Sequence, residues 1–156
     1  MIVAIPALDE TDRKILALLQ ADARMTNAAI GTEVGLTAPS VFERIRKLEQ
    51  RGVIRGYSAV IDPNALGKVM TAFLRLTVAD DERYDSGVQA LRDDPDVLEC
   101  YHVAGEDCFL IKTKVASPAE LEALLGRIRG SITVQRSVTM IALSTVKEDT
   151  PISISR

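Results

Sequence analysis

Apolar residues recur at two different spacings along this chain, and the change of spacing divides it. From about Glu10 to Gln20, Ile15, Leu18 and Leu19 share one side of a helix. Asp9 is placed to cap it, with Glu10 and Asp12 at its positive end. Ala29, Ile30 and Val34 form a second helical stripe, which ends at Gly35, a residue that takes the left-handed conformation without steric penalty. Leu36 fills the turn and Thr37 caps a third helix with Pro39 in its first turn. Val41, Ile45 and Leu48 are the inner stripe of that helix. Two short helices with facing stripes across a glycine turn predict a helix-turn-helix, and the first helix supplies a third wall. Gly31 costs about 1 kcal/mol against alanine in a helix and is read as a place where helices approach closely.

After Gly52 the period shortens. VIRGYSAVID predicts one or two short strands anchored by Val53, Ile54, Tyr57, Val60 and Ile61. Arg51 and Arg55 flank it as a wing would. Asp62-Pro63-Asn64 breaks the pattern. Beyond it TAFLRLTVA reads as a strand, RYDSGVQALRDD as a helix, and VLECYHVA and CFLIKTKV as a hairpin around Gly105-Glu106-Asp107. PAELEALLGRIRG reads as a helix capped by Ser117, and VQRSVTMIALSTVKE as a long last strand. The order β-α-β-β-α-β is that of a ferredoxin-like sandwich. The expected fold class is α+β: a winged helix-turn-helix domain over residues 1–61, a linker over 62–69, and the sandwich over 70–156. One sheet face, carrying Phe73, Cys108 and Val138, would stay open in a monomer, so self-association is expected.

Charge sharpens this picture. The net charge of −3 over 156 residues looks wrong for a nucleic-acid binder, but it is unevenly spread. Residues 1–61 hold eight Lys/Arg against seven Asp/Glu, and the remainder eleven against fifteen. Between Thr37 and Arg55, the five cations Arg44, Arg46, Lys47, Arg51 and Arg55 face only Glu43 and Glu49. The helical wheel turns Pro39, Ser40, Glu43, Arg46 and Lys47 outward, with Arg44 at the flank. Arginine and lysine contact guanine or phosphate, and serine either. Glu43 is repelled by phosphate unless it accepts from a cytosine amino group, and an ion pair with Lys47 is its plainer use.

Other chemistries find little support. His102 is the only histidine, sits in a strand and has no base partner. Cys100 and Cys108 fit no usual zinc spacing and are expected to act as small buried hydrophobes in a reduced, cytoplasmic setting. No phosphate-binding glycine motif appears, no apolar run reaches the roughly 18 residues of a membrane span, and MIVAIPALDE lacks the features of a signal peptide. No catalytic residue, metal or cofactor is expected. Two other classes stay open: an effector-binding module whose helix-turn-helix contacts protein, and a small metabolic enzyme on the sandwich.

The stretch from LDETDRKILALLQ through VFERIRKLEQRGVIRGYSAVIDPNALG resembles the DNA-binding half of the Lrp/AsnC (leucine-responsive, feast/famine) regulators. VAGEDCFLIKTKV and VQRSVTMIALSTVKE resemble the two diagnostic pieces of that family's effector domain. The resemblance implies a prokaryotic transcription regulator that binds double-stranded DNA. It also implies dimers built through the sheets, often octamers, and a small-molecule effector, usually an amino acid. By position it assigns the recognition helix to Thr37–Arg51; with the outward side chains of that helix and the wing-like cations, Thr37, Ser40, Glu43, Arg44, Arg46, Lys47, Arg51 and Arg55 are the expected DNA contacts. The effector loop becomes Gly105, Glu106, Asp107, Cys108 and Phe109, facing Ser137 and Thr139. A glycine turn with two carboxylates offers N–H donors and acceptors to a zwitterion, although a plain hairpin turn favours the same residues. Two departures stand out. Many relatives have aspartate at the Cys108 position and arginine at the Glu43 position.

Overall fold

The computed structural model describes residues 7–154, so the MIVAIP start considered above lies outside the described residues. The chain divides into two units. One runs to Val60 and includes the tail from Asp149, and the other is Ile61–Glu148. The tail from Asp149 thus clusters with the first unit, whereas the sequence pattern runs it on from the sandwich.

In the first unit, helices α1 (Glu10–Ala21), α2 (Asn27–Val34) and α3 (Ala38–Gln50) enclose a core of Ile15, Ile30 and Val41, all fully buried. Each helix begins where a side chain can satisfy free N–H groups. Asp9 accepts from Asp12 N–H at 2.7 Å, while the Asp12 carboxylate reaches back to Asp9 N–H in a capping box. Thr26 and Thr37 cap α2 and α3. Gly35 has φ 70°, the left-handed turn expected between them. The close approach at Gly31 is to the following turn rather than to another helix: a Cβ there would run into the Leu36 carbonyl oxygen.

No strand follows α3 among the described residues of this unit, so the expected wing strands are absent. Val53 and Ile54 N–H both turn back to the Leu48 carbonyl. Residues 55–62 then run without a ladder partner, leaving Tyr57, Val60 and Ile61 exposed. The alternation is that of a strand, but a strand is stabilised only by cross-strand pairs, and this segment has none among the described residues.

The second unit opens with a 3-10 turn, Pro63–Leu66, capped by Asp62. Strand β1 (Met70–Val78), helix α4 (Tyr84–Asp93), strands β2 (Glu99–His102) and β3 (Phe109–Val115), helix α5 (Pro118–Ser131) and strand β4 (Val134–Ile141) follow. The sheet is antiparallel in the order β2-β3-β1-β4, the ferredoxin-like arrangement. Ala72, Leu74, Leu76, Phe109, Ile111 and Val115 pack with Leu91, Leu124, Ile128 and Ile132 of the helical layer. Gly87 lets α4 approach that layer, since a Cβ there would lie 2.5 Å from the Ile132 Cβ. The last strand is shorter than expected. It stops at Ile141, and Leu143 and Val146 beyond it are fully exposed. Glu148 instead folds back to Lys112 (2.7 Å) and Lys114 (2.5 Å).

Candidate DNA-binding helix and effector loop

Helix α3 sits on Val41 and Leu48, at 0% and 1% exposure, with Ile45 partly buried beside them. This seat presents Pro39, Ser40, Glu43, Arg46 and Lys47 to solvent, as the wheel predicts. Thr37 Oγ1 lies 2.9 Å from Ser40 Oγ, so both candidate hydroxyls sit at the N-terminus of the helix.

The cations divide by what they touch. Arg46 donates to Glu43 Oε2 through Nη2 at 2.9 Å and Nε at 3.2 Å. The partner of Glu43 is thus Arg46, three residues on, rather than Lys47. Arg44 Nη1 donates to Asp9 Oδ2 and Asp12 Oδ1, both at 2.7 Å. The Asp12 N–H and then the Arg44 guanidinium hold the Asp9 carboxyl below its usual range. Arg51 donates to the Ala7 carbonyl at 2.8 Å. Arg44 and Arg51 therefore tie α3 to the start of the unit, whereas Lys47 and Arg55 are exposed and in no ion pair among the described residues. Tyr57, expected only as a strand anchor, has a polar role: its hydroxyl donates to Glu49 at 3.0 Å and steadies the segment after α3.

In the second unit, Gly105 has φ 146°, a conformation open to glycine, and Glu106 is exposed. The loop is fastened on both sides: Cys108 N–H donates to Leu76 O at 2.7 Å, and Val103 N–H to Cys108 O at 2.9 Å. Asp107 is buried at 7% exposure. Its Oδ2 accepts from Arg75 Nε at 2.6 Å and from Arg75 Nη2, while its Oδ1 is buried without a hydrogen-bond partner. Ser137 Oγ is the same. Ser137 lies opposite Leu76, whose carbonyl holds Cys108, so loop and facing strand flank one residue of β1. Thr139 lies opposite Leu74, farther along, and is exposed.

Arg75 was not among the expected effector residues. Its signal was a lone cation on the open side of an otherwise neutral strand. Cys100 proves exposed on β2 rather than buried, while Cys108 is half-buried and packs against the core. His102 stacks on Phe109, ring centroids 5.0 Å apart. Among the described residues no group of His, Cys, Asp or Glu could hold a metal ion, and no helix is long and apolar enough to cross a membrane.

Comparison with known proteins places this geometry. Residues 8–49 match the AsnC-type helix-turn-helix domain and residues 71–152 the Lrp/AsnC ligand binding domain. The chain is 41% identical over 135 residues to the HTH-type transcriptional regulator LrpA of Mycobacterium tuberculosis, covering 86% of this chain and 90% of that one. It is similar to the solved structure of the M. tuberculosis feast or famine regulatory protein complexed with L-methionine. The TM-score is 0.86 at 40% identity, with 94% of this chain and 99% of that one covered. A Neisseria meningitidis transcriptional regulator in complex with L-methionine aligns with a TM-score of 0.87 at 26% identity, covering 95% and 97%. With a helix-turn-helix in the first unit and a ligand-binding sandwich in the second, the chain belongs to the Lrp/AsnC family of DNA-binding transcriptional regulators.

Proposed function

We propose that this regulator reads an amino acid at the 105–109 loop and changes its assembly or its hold on DNA in response. The observation that carries the reading is the Asp107 carboxylate, buried, paired on one oxygen by Arg75 and unpartnered on the other. A buried acceptor without a donor is costly, and the ammonium of an amino acid is a donor of the right charge. Arg75, half-exposed beside it, and N–H groups of the glycine turn suit the carboxylate of the same zwitterion. The L-methionine complexes of the M. tuberculosis and N. meningitidis proteins support an α-amino acid as the class. Gly105, Glu106 and Asp107 form the site with Arg75, and Cys108 and Ser137 border it from the helix-covered face of the sheet. Thr139 is a peripheral member.

On DNA, Thr37, Ser40, Glu43, Arg46, Lys47 and Arg55 make the contacts, while Arg44 and Arg51 position the helix. Two copies related by a two-fold axis would place their recognition helices in major grooves about 34 Å apart on a pseudo-palindromic site. Self-association through the open sheet face, to a dimer and on to an octamer, is supported by the exposure of Tyr101 and Met140 on strands of that sheet. The working compartment is the cytoplasm, where the DNA is. The test is a thermal-shift screen of the twenty amino acids on the full chain, with native mass measurement and promoter gel shifts. One or a few amino acids should raise the melting temperature and alter assembly or DNA affinity. A screen in which none does so would sink the effector assignment.

A further inference from the structure

Glu43 is out of place on a surface that meets phosphate. It stands near the middle of the outward face of α3, about half exposed, beside Lys47 and Arg46. Its geometry offers a use. Both Arg46 bonds, from Nε and Nη2, end on the same oxygen, Oε2. Oε1 has no hydrogen bond among the described residues, and Arg46 Nη1 has none either. The i,i+3 spacing holds the two groups side by side on one helix face. The result is a composite edge: guanidinium donors next to one open carboxylate acceptor.

The major-groove edge of a G·C pair presents two acceptors, guanine N7 and O6, followed by one donor, the cytosine N4 amino group. The composite edge is its complement. An A·T pair reverses the last two positions. The adenine amino group would then meet the guanidinium and thymine O4 the carboxylate, two like-against-like contacts. We propose that Glu43 and Arg46 together read one C·G base pair in each half-site, Arg46 donating to guanine and Glu43 Oε1 accepting from cytosine N4. This rests on α3 being the recognition helix, and it makes Glu43 a specificity-determining residue rather than a solvated charge.

The test is selection of binding sites from a randomised duplex pool by the full chain, followed by sequencing. The wild type should enrich a motif with a fixed C·G pair in each half-site. Glu43→Ala and Arg46→Ala should each lower the preference at that pair about tenfold or more while leaving the other positions fixed. Glu43→Gln, which keeps the shape but adds an amide donor, should move the preference toward adenine. A wild-type motif lacking such a pair, or one that Glu43→Ala and Glu43→Gln both reproduce unchanged, overturns the proposal while leaving DNA binding intact. A wild type that enriches nothing overturns the recognition-helix assignment itself.

Discussion

Arg44 and Asp12 meet at 2.7 Å, and the same guanidinium nitrogen is also 2.7 Å from Asp9, so a side chain of α3 closes over both carboxylates of the α1 capping box. The Asp12 side chain is only 12% exposed and the Asp9 side chain 52%, so the two contacts are not equal. The exposed one adds little. The buried one leaves a carboxylate without its counter-charge when Arg44 is removed. Arg44→Ala is therefore expected to destabilise the first unit by about 1–3 kcal/mol. Urea unfolding should show a lower midpoint, with Asp9→Asn having the smaller effect. An unchanged midpoint in Arg44→Ala would return Arg44 to the DNA contacts.

Lys47 behaves differently. Exposed and in no ion pair among the described residues, it is expected to contact phosphate without sequence preference. Lys47→Ala should weaken all duplexes alike and flatten the dependence of log affinity on log salt by about one in slope for each phosphate no longer neutralised. Stability should stay within about 0.5 kcal/mol of wild type. Gel shifts at several salt concentrations check this, and an unaltered slope rejects it.

Gly31→Ala should run against helix propensity. Alanine in a helix is favoured by about 1 kcal/mol, yet here its methyl would collide with the backbone oxygen of Leu36, which cannot swing away. The turn between α2 and α3 must open, at a net cost of about 1–3 kcal/mol. A melting temperature equal to or above wild type would show that the turn yields freely.

Asp107→Ala should abolish the thermal shift and the change in DNA affinity produced by the active amino acid. DNA binding without effector should be kept. Arg75→Met should lower stability by about 1–3 kcal/mol as well, because it strands the buried carboxylate. A normal amino-acid response in Asp107→Ala would move the effector site off this loop.

Acid should unfold the protein over a definite range. Hydrogen bonds from Arg127 hold Asp94 low, Lys112 and Lys114 hold Glu148 low, and the Ala116 N–H with Lys68 holds Glu120 low. A carboxylate whose folded pKa is depressed contributes stability above its unfolded pKa and loses it as pH falls through the folded value. Stability should thus be level from neutral down to about pH 5 and fall below about pH 4. Lys68 and Lys112 are raised by their carboxylate partners, so their contribution is complete at neutral pH and lost only in strong alkali. Urea midpoints across about pH 2–8 measure this. A decline that begins well above about pH 5 would reject this account.

Much of this architecture was legible because local chemistry marks it. Asp9, Thr37 and Ser117 each open a helix at the position their capping implies. The alternation of Ala72, Leu74, Leu76 and Val78 names the buried face of β1. What was not legible depends on partners remote in sequence. Arg44 with Asp12 and Arg75 with Asp107 each join residues 32 positions apart, and no periodicity reports such a pair. The segment around Tyr57 has the composition of a strand but no ladder partner among the described residues, so pattern alone overstated it. Beyond Ile141 the same happened, because apolar residues continued after the ladder had ended.

The tail from Asp149 has a consequence for the order of assembly. It clusters with the three-helix unit, and Arg13 of α1 donates to the Ile154 carbonyl at 3.3 Å. A ribosome delivers Arg13 early and Ile154 only after every strand of the sandwich has been made. The helices can collapse around Ile15, Ile30 and Val41 during synthesis, but the clasp on α1 must wait for the sandwich to emerge. The three-helix unit is therefore made before the sandwich but closed only after it.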